Sequence, residues 1–401
     1  MAADDLWILG IHMTKFGKHT DRDLVDLAAE AALGALADGG VTMDDMGVLA
    51  AGNLMQAAGG IGQQLQKQIG QTGIPVYNVV NACATGATAL RTAAMAVKAG
   101  EADYGLAVGV EKLAGAGLLS GASRKDDDNT WTPRGRYGAV APVDGRIGTE
   151  TMPGVFAQIG MEYGHKYGGT SFELFARISE KNHAHSALNP LAAYQKRFTL
   201  DEIMGDLMIA YPNTRPMCSA NTDGAAAAVV VNGSTLRTLS LAQQKRAVKI
   251  SASVLTSDPW TESCQVLPDV NTLTRRAATQ AYEAAGIGPE DLDLVELHDC
   301  FATAELVHYD NLMLCPEGGA VDFFESGATW RDGALPVNVS GGLESKGHPI
   351  AATGIANIWE VATHLRGEAG DRQIEGAKVG LAHVIGLGSA CGVHILEKSA
   401  A

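Results

Sequence analysis

Two long stretches of the chain share one pattern of apolar and polar positions. The first reads AAEAALGALADGGVTMDDMGVLAAGN and reaches a glycine at Gly40; the second reads RRAATQAYEAAGIGPEDLDLVELHDC and reaches its glycine at Gly286. In both, alanine-rich apolar positions recur at helical spacing up to the glycine, and a capped turn and an apolar run follow. Each stretch therefore predicts a helix, a glycine stop and a buried strand.

A second pair of stretches repeats in the same order along the chain. An Ala-Thr-Gly tripeptide opens each predicted helix, at residues 84–100 in the first copy and 352–367 in the second. The pattern predicts an apolar strand after each helix, at 104–110 and 378–384. Two pairings in the same order indicate a duplicated strand–helix unit, and the alternation of strands and helices favours layered α/β sheets.

The repeat divides the chain into two predicted halves, residues 1–235 and 236–401. Within the first half, residues from about 113 to 218 interrupt the alternation with a span rich in Gly, Asp, Tyr and His. Long insertions on a rigid scaffold often carry substrate contacts, so we expect an inserted loop domain here. The first half then closes with an apolar strand at 225–231.

The composition narrows the class of protein. Of 401 residues, 46% are hydrophobic and 19% charged, which is typical of a soluble globular chain with two core-bearing units. The net charge of −15 argues against a nucleic-acid or anionic-membrane surface. There is no apolar run of about 18 residues, no basic secretory start and no peroxisomal tripeptide, so we expect a cytoplasmic protein. The six cysteines lack CxxC pairs, which predicts reduced thiols and no zinc site.

Cys83 lies in a short turn between an apolar strand, predicted at 76–80, and the first Ala-Thr-Gly helix. Backbone N–H groups and the positive end of the helix therefore lie near its sulfur, and such an environment stabilises a thiolate. Small neighbouring residues leave room for a substrate. The pattern fits a nucleophile, but a buried structural cysteine remains open on the local sequence.

Two histidine-bearing segments are further candidates. His348 lies in the glycine-rich loop 338–354 and is followed directly by Pro349, which fixes the backbone. Its side chain is either directed into a functional site or is an ordinary loop histidine bonded to a carbonyl. An apolar strand at 294–297 leads to His298, Asp299 and Cys300. These three could be part of a metal site, but a thiol and an imidazole at a strand end suit proton transfer better.

Together these segments resemble the thiolase superfamily. The motifs NACATG, HDCF, GGLxSKGHP followed by ATG, and the glycine turn HVIGLGSA occur in the order found there. The HDCF form, with RPMCSANTDGAAAAVV and KNHAHSALNPLA, is similar to the sterol-carrier-protein-linked (SCP2-type) branch. The resemblance implies a thiolase fold, in which two duplicated α/β halves form five αβαβα layers with an inserted loop domain.

The resemblance also implies roles for particular residues. Cys83 would accept the acyl group, His348 would activate it and help bind the thioester oxygen, and His298 would assist an oxyanion hole through a water. Ordinary thiolases take a second, acid/base cysteine from the C-terminal turn, where this chain has Val384. The HDCF motif supplies Cys300 instead.

Four further expectations complete this assignment. The backbone N–H groups of Cys83 and Gly386 would form a second oxyanion hole. Ser251 matches a position that contacts the pantetheine arm of the coenzyme. Cys391 is expected to be structural. His183 and His185, in a charged predicted helix, are expected to be solvated.

The implied activity is that of an acyl-CoA C-acyltransferase, a 3-oxoacyl-CoA thiolase that uses coenzyme A as co-substrate and needs no metal or bound cofactor. A bulky, branched or aromatic acyl chain, such as that of a benzoylsuccinyl-CoA, is favoured. A homodimer is expected, with a small zinc-ribbon and OB-fold (DUF35-type) protein as a possible partner. The alternatives are a thiolase-like retro-aldolase acting on steroid side-chain thioesters and a non-catalytic acyl-CoA-binding scaffold. Lys112 is expected in a structural ion pair rather than in a Schiff base.

Overall fold

A computed structural model describes residue 2 and residues 4–114, 151–257, 266–386 and 390–399. Its strands are β1 (Leu6–Met13), β2 (Val48–Gly52), β3 (Val76–Val79), β4 (Tyr104–Lys112), β5 (Met208–Ala210), β6 (Asn213–Thr214), β7 (Asp223–Asn232), β8 (Val248–Thr256), β9 (Leu294–Glu296), β10 (Val379–Gly386) and β11 (Ala390–Lys398). Its helices are α1 (Leu24–Gly39), α2 (Ile61–Ile69), α3 (Thr85–Lys98), α4 (Thr151–Tyr167), α5 (Phe172–Ser186), α6 (Leu200–Met204), α7 (Gly233–Leu236), α8 (Leu241–Arg246), α9 (Val266–Ala285), α10 (Ala302–Asn311), α11 (Ala320–Glu325), α12 (Gly342–Ser345) and α13 (Ile350–Arg366).

The predicted duplication is confirmed by the topology of the main sheet, whose strand order is β3-β2-β4-β7-β1-β8-β11-β10-β9. The first five strands and the last four repeat one arrangement in opposite directions: β2 and β9 pair in parallel with β4 and β10, and antiparallel partners follow. A parallel bridge from Val295 to Val337 stands where β3 pairs with β2 in the first half. The two halves are joined by antiparallel pairing of β1 with β8.

The glycine stops have the backbone that the sequence pattern requires. Helix α1 ends at Gly40, whose φ of 66° lies in the left-handed region, and the chain after α9 turns at Gly286 with a φ of 72°. Residues with a Cβ atom rarely adopt this conformation, so glycine ends each helix and turns the chain toward the next strand. The local sequence therefore determines where both repeats change from helix to strand.

Helices α3 and α13 pack against each other between the two sets of strands. A Cβ atom at Gly86 would lie 2.6 Å from the carbonyl oxygen of Ala351, and one at Gly354 would lie 2.5 Å from the backbone nitrogen of Ala87. The Ala-Thr-Gly glycines of the two repeats thus allow the helix backbones to touch. With α1 and α2 outside the first set of strands and α9 and α10 outside the second, the layers are αβαβα, as expected.

The insertion, expected as a loop domain over about 113–218, contains helices α4, α5 and α6 in its described part. These pack on the outer side of the second half: the rings of Phe156 and Phe301 stack at 5.4 Å, and the hydroxyl of Tyr163 donates to Asp310 at 3.1 Å. The polar stretch SRKDDDNTWTPRGR and Cys264 lie outside the described residues. The division of the chain between residues 235 and 236 stays a prediction. Among the helices described, none has the length and apolar character needed to cross a membrane.

Candidate active site

A cavity of about 550 Å³ lies where the first half, the second half and the insertion meet. Its lining includes Cys83 from the start of α3, His298 and Cys300 from the end of β9, and His348 from the loop before α13. Helix α5 and the segment after it contribute further side chains from the insertion. Four of the predicted site residues therefore share one cavity, although they come from three separate segments of the chain.

The turn that carries Cys83 is tightly fixed. After β3 the backbone of Ala82 adopts a φ of 47°, which is unusual for a residue with a Cβ atom. The hydroxyl of Thr85 donates to the carbonyl of Ala82 at 2.6 Å and accepts from the N–H of Asn81 at 2.8 Å. These bonds hold the buried Cys83 at the N-terminal end of α3, where the backbone dipoles favour a negative charge.

Gly386, at the end of β10, packs directly on this turn. A Cβ atom added to it would lie 2.7 Å from the carbonyl oxygen of Asn81 and 3.2 Å from the backbone nitrogen of Ala84. Val384, which stands where ordinary thiolases are expected to have a cysteine, packs in one small apolar cluster with Cys83. On this side, the sulfur of Cys83 is therefore surrounded by backbone atoms and hydrocarbon side chains. Residues 387–389 of the predicted glycine turn lie outside the described residues.

The imidazoles of His298 and His348 stand beside Cys83. A ring nitrogen of each histidine and the sulfur of Cys83 all lie within 4.8 Å of one another, and the two ring centroids are 5.2 Å apart at 82°. Burial, with a contribution from the charge of Lys346, lowers the pKa of His348 to about 3. Burial and the neighbouring imidazoles also lower the pKa of His298 well below its ordinary value. Both rings are therefore neutral near pH 7, and each has one unprotonated ring nitrogen.

A threonine fixes the tautomer of His348. The hydroxyl of Thr353 donates to the carbonyl of Pro349 at 3.1 Å, and its oxygen lies 2.7 Å from Nδ1 of His348. Because the hydroxyl proton is already used, the oxygen accepts from Nδ1–H, and Nε2 is left as the basic nitrogen.

Cys300 differs from Cys83 in its surroundings. Burial raises the pKa of its thiol well above the ordinary value, and the nearby Cys83 and Asp299 raise it further. Its backbone is held by a bond from the N–H of Ser219 to its carbonyl at 2.8 Å. A thiol that keeps its proton suits the role of acid better than that of nucleophile.

Two other predicted positions lie away from the cavity lining. Ser251 lies on the central strand β8, and its hydroxyl makes no hydrogen bond with the described residues. Its assignment to coenzyme binding stays a prediction. Cys391 lies on β11 inside the core of the second half, where burial raises its pKa to about 12, and it is not part of the cavity lining.

The expectation that His183 and His185 are solvated is wrong. Their exposed fractions are 2% and 4%, because α5 is covered by the turn at Arg215–Met217 and by the glycine-rich loop before α13. His183 lines the cavity and its ring bonds to Ser345 at 2.7 Å and to the carbonyl of Pro216 at 3.1 Å. The charged residues around these histidines gave the helix a solvated appearance, whereas Leu174, Phe175 and Ile178 marked its buried face.

The expectation for Lys112 is confirmed. Its ammonium lies 4.0 Å from a carboxylate oxygen of Asp223 and donates to the carbonyls of His19 and Arg22. These contacts tie β4 and β7 to the segment before α1.

The chain matches two family models, "Thiolase, N-terminal domain" over residues 6–128 and "Thiolase C-terminal domain-like" over residues 259–398, together more than half of its length. The chain belongs to the thiolase family. It is 38% identical over 395 residues to sterol carrier protein 2 of Gallus gallus, covering 96% of this chain and 70% of that protein, which places it in the SCP2-type branch.

The match to two further relatives extends over nearly the whole length of each. The chain is 35% identical to an acetyl-CoA acetyltransferase of Methanothermobacter thermautotrophicus, over 98% of this chain and 100% of that protein. It is 32% identical to benzoylsuccinyl-CoA thiolase subunit BbsB of Thauera aromatica, over 96% of this chain and 94% of that protein. Among solved structures, the one titled "Ltp2-ChsH2(DUF35) aldolase" is similar in fold, with a TM-score of 0.78, 23% identity and coverage of 100% and 99%.

Family membership changes how the three grouped side chains are interpreted. Cysteine and histidine are also the side chains that zinc prefers as ligands. The fold places Cys83 and His348, two further residues of this kind, beside His298, although they are distant from it in the sequence. Because the chain belongs to the thiolase family, we interpret the same group as a candidate site of acyl transfer rather than as a metal site. This thiolase is accordingly an acyltransferase of the acyl-CoA class.

Proposed function

We propose that this thiolase cleaves or forms the carbon–carbon bond of a 3-oxoacyl-CoA through an acyl group held on Cys83. The observation that carries the proposal is the meeting of one thiol and two neutral imidazoles within 4.8 Å, with a second thiol, Cys300, in the same cavity. A nucleophile, a base and a separate acid are what a two-step acyl transfer requires.

In the cleavage direction, Nε2 of His348 accepts the proton of Cys83, and the sulfur attacks the keto carbon. The tetrahedral oxyanion is stabilised by the backbone N–H groups of Cys83 and Gly386, each worth about 3 kcal/mol in such sites. The Cα–Cβ bond then breaks, and the thiol of Cys300 protonates the departing enolate of the shorter acyl-CoA. His298 stabilises the enolate oxygen through a water.

In the second step, the Cys300 thiolate takes the proton of coenzyme A, whose sulfur attacks the thioester on Cys83. The new acyl-CoA leaves, and the thiol of Cys83 is restored by the proton held on His348. The reverse sequence is a Claisen condensation. Ser251 is proposed to contact the pantetheine arm of the bound coenzyme.

We propose a bulky or aromatic acyl chain as the substrate. The cavity of about 550 Å³ has Tyr194, Phe198 and Phe301 in its lining, and these rings suit a large apolar group. The relative from Thauera aromatica is named for benzoylsuccinyl-CoA. A benzoylsuccinyl-CoA-type substrate is therefore the first to test.

A retro-aldolase acting on steroid side-chain thioesters is the second candidate function. One structure of similar fold is titled as an aldolase. The arrangement of this chain favours thiolysis, because the two thiols and His348 line one cavity and a retro-aldol cleavage needs no acyl-accepting sulfur. The same two thiols and His348 argue against a non-catalytic scaffold, because a protein that only binds acyl-CoA does not need reactive side chains in its cavity.

The test is turnover of acetoacetyl-CoA and of a bulkier 3-oxoacyl-CoA with coenzyme A, followed by loss of the enolate absorbance. Mass spectrometry should show one acyl group on Cys83, absent from Cys83→Ala. Cleavage without coenzyme A and without an acylated cysteine would contradict thiolysis and support the aldolase. Binding of acyl-CoA without cleavage would support the scaffold.

A homodimer is proposed through the edge strand β3, which ends the sheet beside the Cys83 turn. Tyr77 and Val80 on and after this strand are 45% and 51% exposed, and a second copy would cover them. We expect Tyr77→Lys to halve the molecular mass measured by light scattering. Leu241→Lys, at an even more exposed hydrophobic position on α8, is the control and should leave the mass unchanged.

A zinc-ribbon and OB-fold (DUF35-type) partner is proposed as well. The Thauera relative is named as a subunit, and the aldolase title names a DUF35 component. Co-purification from the native host tests this proposal. Recovery of the thiolase without a second chain, with full activity on the bulky substrate, would contradict it.

A further inference from the structure

Three buried carboxyl groups form a cluster, and one of them, Glu344, is part of the lining of the active-site cavity. Oxygen atoms of Asp299, Glu305 and Glu344 all lie within 4.8 Å of one another, and each of the three side chains is at most 1% exposed. The thiolysis mechanism proposed above uses none of them. Because like charges this close and this deeply buried repel strongly, the three cannot all be ionised.

Hydrogen-bond donors are unevenly distributed among them. Glu305 is the best satisfied, since Lys181, Asn182, Asn338 and Tyr309 all donate to its carboxylate. Such a set of donors, including an ammonium group, stabilises a charged carboxylate.

Asp299 is the next best satisfied. It accepts from the backbone N–H groups of Leu343 at 2.8 Å and Glu344 at 3.4 Å, and from Asn182 at 3.2 Å. Glu344 has the weakest set: Asn182 donates to Oε1 at 3.3 Å and the hydroxyl of Ser179 lies near the carboxyl group, but Oε2 makes no hydrogen bond with any residue that the structure describes.

Burial raises the pKa of Glu344 to about 8, and the charge of Glu305 adds to the effect. Burial raises the pKa of Asp299 as well, so the two acids compete for the proton, and we assign it to Glu344 because Glu344 has the weaker set of donors. Near pH 7 it is a neutral carboxylic acid, which has one O–H donor. A neutral acid whose Oε2 is buried without a protein partner lacks the hydrogen bond that buried polar groups normally make.

The position of Glu344 shows where that bond can be made. Its side chain is part of the lining of the cavity that holds Cys83, and the same lining includes the apolar rings of Phe198 and Phe301. A hydrocarbon chain bound against Glu344 would exclude water from the O–H group and offer it no acceptor. Burying a donor without an acceptor makes the binding free energy less favourable. An oxygen atom on the acyl chain would accept its hydrogen bond.

We propose that Glu344 determines substrate specificity by donating a hydrogen bond from its carboxyl group to an oxygen atom, hydroxyl or carboxylate, on the acyl part of the substrate. This inference rests on the proposed thiolysis. It predicts a preference for acyl chains with such an oxygen over hydrocarbon chains of the same length, because a site built for a hydrogen bond discriminates strongly against a substrate that lacks it.

The test compares kcat/KM for three 3-oxoacyl-CoA substrates of equal length that end in a methyl, a hydroxyl or a carboxylate group. Wild type should prefer one or both oxygen-bearing substrates by about 10- to 100-fold, the range of a buried hydrogen bond. Glu344→Leu should lower this ratio toward one. The ratio within each variant is the readout, so a general loss of activity does not affect it.

Cys218→Ala is the matched control. Cys218 lies beside Glu344 in the same lining, and its replacement changes the local volume without removing the carboxyl group. It should keep the wild-type ratio. An unchanged ratio in Glu344→Leu, or no wild-type preference for either oxygen-bearing substrate, would overturn the inference while acylation of Cys83 still occurred. Absence of that acylation with every substrate would instead refute the proposed function.

Glu344→Gln keeps the inference testable if Glu344→Leu does not fold. Gln has the same shape and keeps an N–H donor, but it cannot ionise. The groups that face Glu344 are Asp299, Glu305, Lys181, Cys218 and His183, and the last has its pKa lowered to about 4 by burial, so it is neutral over the tested range.

In wild type, the preference for the carboxylate-bearing substrate should fall as pH rises through about 8, because Glu344 then loses the proton that it donates and two like charges meet. The preference for the hydroxyl-bearing substrate should persist, because its own O–H group can donate to the ionised carboxylate of Glu344. In Glu344→Gln the fall for the carboxylate-bearing substrate should not occur. The same pH dependence in both proteins would contradict the role of Glu344.

Discussion

The starts of helices α3 and α13 are equivalent positions of the duplicated fold, yet their threonine hydroxyls make different hydrogen bonds. In the first half, the hydroxyl of Thr85 donates to the carbonyl of Ala82 and accepts from a backbone N–H, so it fixes the turn that holds Cys83. In the second half, the hydroxyl of Thr353 donates to the carbonyl of Pro349 and accepts from the ring of His348.

The comparison shows how a duplicated structural feature can take on a second role. The same Ala-Thr-Gly tripeptide orders a backbone turn on one side and orients an imidazole on the other. Because the two glycines let α3 and α13 touch, the proposed nucleophile of one half and the proposed base of the other, Cys83 and His348, line a single cavity. Four experiments can break or sharpen this comparison.

The largest expected effect concerns the nucleophile of the first half. Cys83→Ala should lower kcat by about 10⁴-fold or more, as loss of a covalent nucleophile does in other enzymes. Steady-state thiolysis and mass spectrometry of the acylated protein measure it. Cys391→Ala, a buried cysteine outside the cavity lining, is the control; if it were equally inactive, the assignment of the nucleophile would be wrong.

The base of the second half should come next. His348→Asn should slow acylation of Cys83 by about 10²- to 10⁴-fold, the usual contribution of a general base. Because burial lowers the pKa of His348 to about 3, its ring stays unprotonated as pH falls from 7 to 5, and wild-type acylation should not lose activity there through this group. Single-turnover acylation against pH measures both effects. A loss of activity centred near pH 6.5 that His348→Asn removed would contradict the neutral buried ring.

The paired threonines test the comparison directly. Thr353→Val should slow acylation about 10-fold by releasing the ring of His348, with Thr353→Ser restoring the rate. Thr85→Val should instead lower the free energy of unfolding by about 1 kcal/mol, because it removes the bonds that fix the turn. Acylation rates and urea unfolding of the three variants provide the readouts. Equal effects of the two valine variants on acylation would mean that the halves do not divide these roles.

The last effect concerns the pH dependence of stability, at the glycine-rich loop of the second half. The folded-state pKa of Glu344, about 8, lies above its ordinary 4.5, so the folded protein keeps a proton that the unfolded chain has released. The free energy of unfolding of wild type should therefore fall as pH rises from 4.5 to 8. Glu344→Gln should reduce this fall and be more stable by about 2 kcal/mol above pH 8, with the buried Asp299, whose pKa is also raised, responsible for the remainder. Urea unfolding across this range measures it, and parallel curves would refute the buried proton.

Much of the fold could be predicted from periodic patterns. Helix α3 at Thr85–Lys98 and helix α13 at Ile350–Arg366 lie where the Ala-Thr-Gly repeats predicted them, and β4, β7 and β10 match the apolar runs. These elements depend on the spacing of apolar residues and on glycines that allow a left-handed backbone, which are local properties.

The burial of polar side chains could not be predicted in the same way. His183 lies among charged residues in the sequence, but α5 is covered by segments that lie far from it along the chain. Glu344 lies in a polar stretch of the glycine-rich loop, and nothing in its neighbours indicates two more carboxyl groups within 4.8 Å. When a side chain is buried by segments that are distant in the chain, the sequence around it shows no periodic pattern that predicts the burial.

The sequence by itself determined the duplicated halves, the glycine stops and the turn that places Cys83 at a helix start, because each follows from interactions between residues close in the chain. The tertiary structure decided which side chains meet that sulfur and what protons they hold. The touching of α3 and α13 brings His348 to Cys83, and the insertion covers the wall that contains Glu344. Distances between remote segments and exclusion of water set the pKa values there, and both exist only once the halves have packed.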